Sequence, residues 1–200
     1  MATRSGSEKS VYQDSETDRT IWRLTNSQME DKHSYYDICP WSPDRKYIVF
    51  SSAVPQDLTT HRGDLFVTDS GRVYVMDTEN YDITQIAEGT SFNTHTGAFA
   101  VWHPTENRVY FNRSSGKIGV VDVENPGEER VMEGGLRQLS PDGQKMYVTV
   151  GSATNATPGD DPRRAAINEY NADGSGHRVF AGGLRNPVGM AWQPDTATLW

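Results

Sequence analysis

Four times along this 200-residue chain a bulky apolar residue is followed by x-Pro, and then, five residues past the proline, by another apolar residue. The copies are Trp41-Ser42-Pro43-Asp44, Trp102-His103-Pro104-Thr105, Leu139-Ser140-Pro141-Asp142 and Trp192-Gln193-Pro194-Asp195, with Ile48, Val109, Met146 and Leu199 at the later position. Proline presets the backbone angle for the second position of a β-turn, so each copy reads as a tight hairpin. A second hairpin recurs between them. Its first strand falls at 11–14, 73–77, 118–122 and 167–171, and its second at 20–24, 83–86, 130–132 and 178–180. Asp14, Asp77 and Asp122 end the first strand, where a short carboxylate can bond the backbone two residues on, so they read as turn residues rather than catalytic ones. Recurrence at this period means units that stack, each too small to bury its own apolar face.

Labelling the strands of one unit A to D from the inside outward, the chain runs C-D, then A-B-C-D three times, then A-B. The fold class expected is all-β, a β-propeller with four four-stranded blades per chain, closed by pairing of the N-terminal C-D strands with the C-terminal A-B strands. Full closure removes the free edges that invite aggregation. The same ends could instead be exchanged between two chains, giving a larger ring and a homo-oligomer through blade sharing. A single domain over 1–200 results, with a disordered tail at 1–10, a composite closing blade from 9–25 and 185–200, and blades at 37–87, 96–132 and 135–180. Two insertions interrupt the frame, at 51–71 and 151–164, and loops of that length are often functional.

Composition agrees with an all-β chain: 35% hydrophobic residues with 18 Gly and 10 Pro describes short elements joined by turns. A net charge of -8 repels phosphate backbones, which argues against nucleic acid as a partner. Cys39 stands alone, which excludes an internal disulfide, and its strand-like setting reads as a small core residue. Residues 1–18 are polar, so neither a signal peptide nor a membrane span is read there and the expected location is cytoplasmic.

Two resemblances to known families lie on specific stretches. Tyr12-Gln13-Asp14, Ile21-Trp22-Arg23-Leu24-Thr25, His33-Ser34-Tyr35-Tyr36 and the hairpin through Phe50 resemble the Pro-Asp (WD-like) repeat propellers, oligogalacturonate lyases in particular. That resemblance extends to about residue 145 and implies a seven-bladed fold and manganese-assisted β-elimination of pectin fragments. The metal-binding histidine cluster of that family lies in later blades and has no counterpart here. From about residue 147 the chain is similar to soluble sugar dehydrogenases of the sorbosone and glucose type, which use pyrroloquinoline quinone and calcium. The matching runs are Tyr147-Val148-Thr149-Val150-Gly151-Ser152-Ala153-Thr154-Asn155, Arg164-Ala165-Ala166-Ile167 and Gly183-Leu184-Arg185-Asn186-Pro187-Val188-Gly189-Met190-Ala191-Trp192. The resemblance implies that Arg185 and Asn186 approach the quinone, and a guanidinium fork fits a carboxylate's two oxygens. The family's histidine base, however, is replaced by Gly134-Gly135-Leu136-Arg137-Gln138-Leu139. Two families meeting inside a shared Ser-Pro-Asp-Gly-Gln-Lys turn read as a chimera, natural or engineered.

The remaining candidates read as structural. His33, His61, His95, His103 and His177 lack helical metal-ligand spacing, and Asn155, Asp160 and Asp161 lack a calcium-loop pattern. Ser152 follows a glycine without a nucleophile elbow around it. No catalytic residue and no metal ligand is assigned. Trp41, Trp102 and Trp192 occupy equivalent positions, which points to packing between blades. The functional expectation is a non-catalytic propeller scaffold needing no cofactor, with a quinone-dependent sugar dehydrogenase fragment and a pectin-fragment lyase as alternatives.

Overall fold

A computed structural model describes residues 5–35, 38–62, 65–114, 116–132, 138–152, 161–185, 187 and 189–200. In chain order its strands are β1 (Gly6–Ser7), β2 (Ser10–Gln13), β3 (Thr20–Arg23), β4 (Glu30–Lys32), β5 (Tyr47–Ala53), β6 (Thr60–Arg62), β7 (Leu65–Asp77), β8 (Asp82–Asn93), β9 (Val101–Trp102), β10 (Arg108–Asn112), β11 (Ile118–Asp122), β12 (Arg130–Met132), β13 (Gln138–Leu139), β14 (Lys145–Val150), β15 (Ala166–Asn171) and β16 (Arg178–Ala181). One 3-10 turn, Pro55–Asp57, accompanies them. The fold is all-β. Antiparallel sheets in the orders β4-β5-β7-β8, β9-β10-β11-β12 and β13-β14-β15-β16 follow one another, and β2-β3 forms a separate hairpin.

Every proline hairpin forms as the spacing requires. The bulky residue pairs with the residue five past the proline in all four copies: Trp41 with Ile48, Trp102 with Val109, Leu139 with Met146 and Trp192 with Leu199. The residue before the proline caps each turn through its side chain. Ser42 Oγ accepts from the Tyr47 amide at 3.0 Å and donates to Asp44 at 2.7 Å, and Ser140 does the same with Lys145 and Asp142 at 2.9 and 2.5 Å. At the second copy His103 Nδ1 accepts from the Glu106 amide at 3.1 Å, and at the fourth Gln193 Oε1 accepts from Thr196 at 2.7 Å. The carboxylates at the outer turns behave as their type dictates. Asp14, Asp77 and Asp122 each accept from the amide two residues on, at 3.0, 2.7 and 3.0 Å.

Alternation along the strands sends apolar side chains to both faces of each sheet, so the sheets stack through two cores. Val49, Val73 and Val75 of the first sheet pack on Trp102, Val109, Phe111 and Val121 of the second. The other face of the second sheet, Tyr110, Ile118 and Val120, packs on Leu139, Met146 and Val148 of the third. A buried apolar side chain of this size contributes about 1.5–3 kcal/mol, so the seams carry much of the stability.

The structure departs from the sequence reading in four places. Residues 5–10 are not a loose tail, because Gly6 and Ser7 pair with Ile83 and Asp82 at the outer edge of the first sheet. The stretch 51–71 is less a loop than an added ribbon: β6 folds back on β7, and β7 and β8 run on as a long twisted pair. Gly71 sits at a register shift there, where a Cβ would lie 2.7 Å from Phe92 and Thr90. Cys39 is exposed rather than a core residue. Most important, among the described residues no ladder joins 9–25 to 185–200. The opening hairpin lies against the first sheet, with Leu24 on the Phe50, Tyr74 and Met76 cluster and Trp22 5.9 Å from Tyr81. The closing hairpin lies against the third sheet, with Trp192 5.3 Å from Tyr147. The hairpin spacing specifies pairing within a sheet and carries no information about which sheets meet.

Two substitutions at equivalent turn positions should act in opposite directions. Arg45 adopts a φ of 62°, where the third copy has Gly143 at 71°. Arg45→Gly is expected to raise stability by about 0.5–1 kcal/mol by relieving the left-handed conformation. Gly143→Ala drives a Cβ into the His103 ring and is expected to cost roughly 1–3 kcal/mol, both read from urea denaturation midpoints.

Candidate functional site

The inner strands and their turns line a concave space of about 1480 Å³ on the inside of the arc. Its walls come from segments far apart in sequence: Tyr35 and Trp41, then Asn93 and His95, then Asn112, then Gln138 and Thr149, then Met190 and Trp192. Charged residues are 23% of the chain, yet among the described residues no Asp, Glu, Lys or Arg lines this surface. Aliphatic side chains, aromatic rings, two imidazoles, amides and hydroxyls make it up instead.

The rigidity of the surface comes from bonds between sheets. Trp102 Nε1 donates to the Pro40 carbonyl at 2.7 Å, and Trp192 Nε1 to the Leu139 carbonyl at 2.9 Å. Leu139 stands where a tryptophan would supply the bond at the second seam, and His103 takes over, its Nε2 lying 3.2 Å from the Gly143 carbonyl. Donation from Nε2 to that carbonyl, with Nδ1 accepting from amides, defines a neutral tautomer. His103 is therefore a structural residue. Asn107 Nδ2 donates to Asp44 at 2.9 Å across the first seam, and this bond heads the causes that hold the Asp44 carboxyl down at about 2.

Two groups on the surface have chemistry to spare. Asn112 ends β10, and its buried Oδ1 has no hydrogen-bond partner among the described residues. An unsatisfied buried acceptor costs about 1–3 kcal/mol. His95 is exposed, its ring 4.9 Å from Tyr35, and its amide is fixed by Asn93 Oδ1 at 2.9 Å.

The other sequence candidates lie elsewhere. Arg185 is exposed and does not line the concave surface, while its carbonyl accepts from the Ser152 amide at 2.9 Å. Asn186, Asn155 and Asp160 fall outside the described residues. Asp161 is engaged by Arg163, whose side chain holds its carboxyl well below the usual range. His61 packs on Phe66, and His177 bonds Asn168 at 2.9 Å. Among the described residues no three His, Cys, Asp or Glu side chains gather as metal ligands would. No helix among them is long and apolar enough to cross a membrane. Sequence reasoning missed Asn112 because a polar residue ending an apolar strand looks like any strand terminus.

Behind Trp192, the third sheet buries a charge. Glu169 accepts from the Tyr147 hydroxyl at 2.9 Å and from Arg178 Nε at 2.9 Å. The Arg178 bond, then Tyr147, outweigh burial and lower the Glu169 carboxyl below its ordinary value. Burial first, and Glu169 second, push Tyr147 up to about 12.

Comparison with known proteins gives fold but not family. No family model matches the chain, and no curated protein matches it. An oligogalacturonate lyase from Vibrio parahaemolyticus superposes with a TM-score of 0.65 at 13% identity, over 90% of this chain and 49% of that one. An oligogalacturonate lyase in complex with manganese gives 0.65 at 16%, again over 90% and 49%. The fold is thus propeller-like, and the chain spans about half the length of these structures.

Acid should expose the Glu169 contribution. Because the folded-state value is depressed, its stabilisation is present above the unfolded value of about 4.3 and is lost as pH falls through the lower folded value. Glu169→Gln is expected to lower stability by on the order of 1–3 kcal/mol at neutral pH and to flatten the loss between about pH 5 and pH 3, as followed by denaturation at each pH.

Proposed function

We propose that this chain is a non-catalytic propeller arc whose concave face binds an uncharged, hydroxyl-rich ligand, a neutral oligosaccharide being the class that suits it. The observation that carries the reading is that the described residues of the lining are uncharged, in a chain of otherwise ordinary charge content. A binding surface of aromatic faces with a few placed amides and hydroxyls supplies apolar contact and orientation without a fixed charge. Tyr35 and Trp41 offer rings, while Asn93, Asn112, Gln138 and Thr149 offer hydrogen bonds.

The lyase alternative draws support from the likeness to oligogalacturonate lyases. An oligogalacturonate carries one carboxylate per sugar, and holding it takes cationic side chains or a metal. The described lining offers neither. The dehydrogenase alternative would place pyrroloquinoline quinone and calcium against Arg185 and Asn186, and Arg185 stands outside the concave surface.

Isothermal titration with neutral cello- and xylo-oligosaccharides and with oligogalacturonate separates these readings. Binding of a neutral oligosaccharide that is unchanged between ~0.05 and ~0.5 M salt is expected, weakened about 10-fold by Asn112→Leu. Binding of oligogalacturonate alone, or rising ultraviolet absorbance when manganese is added with it, would overturn the proposal in favour of the lyase.

A further inference from the structure

The side chain of Lys9 ends between two aromatic rings. Its Nζ lies 3.7 Å from the centroid of Trp22 and 3.5 Å from that of Tyr81, and the two rings stand 5.9 Å apart at 72°. Both distances fall inside the roughly 6 Å over which a ring face attracts a cation. Trp22 belongs to β3, opposite Val11 in the opening hairpin, and Tyr81 belongs to the turn between β7 and β8. That turn is tightly bonded. Asp77 Oδ1 accepts from the Glu79 and Asn80 amides at 2.7 and 3.0 Å, and the Asp77 carbonyl accepts from the Tyr81 amide at 3.0 Å. Tyr81 takes a φ of 65°, which a bulky residue keeps only where its surroundings hold it, and it packs on the Phe50, Tyr74 and Met76 cluster. It is therefore a fixed wall of the cleft.

The resident cation is a poor match for this cleft. A primary ammonium carries three N–H donors and a tight hydration shell. Among the described residues no oxygen accepts from Lys9 Nζ and no carboxylate pairs with it, so ring faces alone meet its charge. A quaternary ammonium has no N–H to satisfy, spreads its charge over methyl groups that lie flat against ring faces, and is recognised by aromatic walls for that reason. The surroundings favour a cation. The chain carries a net charge of -8, Glu8 precedes Lys9, Glu79 and Asp82 lie within two residues of Tyr81, and Asp82 stands opposite Ser7. Trp22 is 54% exposed, so one wall is open to solvent. Neither Lys9, Trp22 nor Tyr81 lines the concave face.

We propose that the Trp22–Tyr81 cleft is a binding site for quaternary ammonium groups, with Lys9 as a built-in competitor that an entering ligand displaces. Choline-type small cations and the side chain of a trimethylated lysine share the head group that the two rings recognise. Lys9 holds the site in the free protein, and a site open for only a fraction of the time shows an affinity reduced by that fraction. Removing Lys9 therefore strengthens binding, the opposite of what the loss of a contact residue does. Trp22 and Tyr81 supply the attraction, and their loss weakens it.

Saturation-transfer NMR from the full chain to ligand methyl protons tests this, with tetramethylammonium as the probe. Choline and an N-acetylated trimethyllysine amide represent the two sources of the head group, and dimethylbutanol is the uncharged carbon isostere of choline. Tetramethylammonium is expected to bind with an apparent Kd lowered about 10-fold by Lys9→Ala, and raised about 10-fold again when Trp22→Leu is added to that variant. Choline should give transfer and its uncharged isostere none, a comparison that needs no variant and holds even where Trp22→Leu fails to fold. The tighter of choline and the trimethyllysine amide names the source. No transfer to tetramethylammonium in Lys9→Ala, an affinity that Lys9→Ala leaves unchanged, or equal transfer to the isostere would each overturn the proposal. None of these readouts depends on the oligosaccharide reading, so the two stand or fall separately.

Discussion

A β-ladder holds strands in one sheet, and nothing in it decides how the next sheet is placed. In this molecule that second decision falls to hydrogen bonds aimed across the seams from the inner turns. Trp102 to the Pro40 carbonyl, Trp192 to the Leu139 carbonyl and His103 to the Gly143 carbonyl are directional, whereas the apolar clusters beside them are not. Burial makes the sheets stack, since it scales with area and has no preferred angle. The seam bonds choose the angle, because an indole or imidazole N–H left buried without an acceptor would cost more than the contact returns.

The position before each proline shows how one local device serves four sequences. Proline fixes the turn and removes an amide donor, and the preceding side chain then has to satisfy the amides that follow. Ser42 and Ser140 do so with a hydroxyl backed by Asp44 and Asp142, His103 with a ring nitrogen, and Gln193 with an amide oxygen. The histidine also reaches the next sheet through its second ring nitrogen. Its presence at the one inner strand followed by Leu139 instead of tryptophan is therefore a compensation: the seam that lacks an indole donor gains an imidazole one.

Much of this was legible in the chain itself. Fixed spacing from proline gave all four hairpins and their register, and Asp or Asn at the outer turns gave the other four, since both signals are local and bear on the backbone directly. The arrangement of ends was not legible. Residues 9–25 and 185–200 match as halves of a blade whether they pair within one chain or between two, and only the packing of Leu24 on the first sheet and Trp192 on the third shows which neighbours they take in a single copy. Cys39 was misread because an apolar neighbourhood in sequence says little about the inner rim of an arc, where strand ends turn toward solvent. The candidate site was hidden for a related reason. Its lining comes from the ends of inner strands separated by dozens of residues, and the feature that defines it, the lack of charge among its described residues, belongs to no single motif.

The concave face and its seams impose linked constraints. A surface built of seams can hold a fixed shape only as far as the seams extend, and the described arc has bonded seams at its middle and at its C-terminal end but an unbonded indole at Trp41. Trp41 also rims the concave space, so whatever fixes that ring fixes one wall of the site. An aromatic wall free to change rotamer loses side-chain entropy when a ligand stacks on it, whereas one already clamped by an N–H bond does not. A bond to the Trp41 N–H would thus act on ligand affinity without contributing a contact of its own.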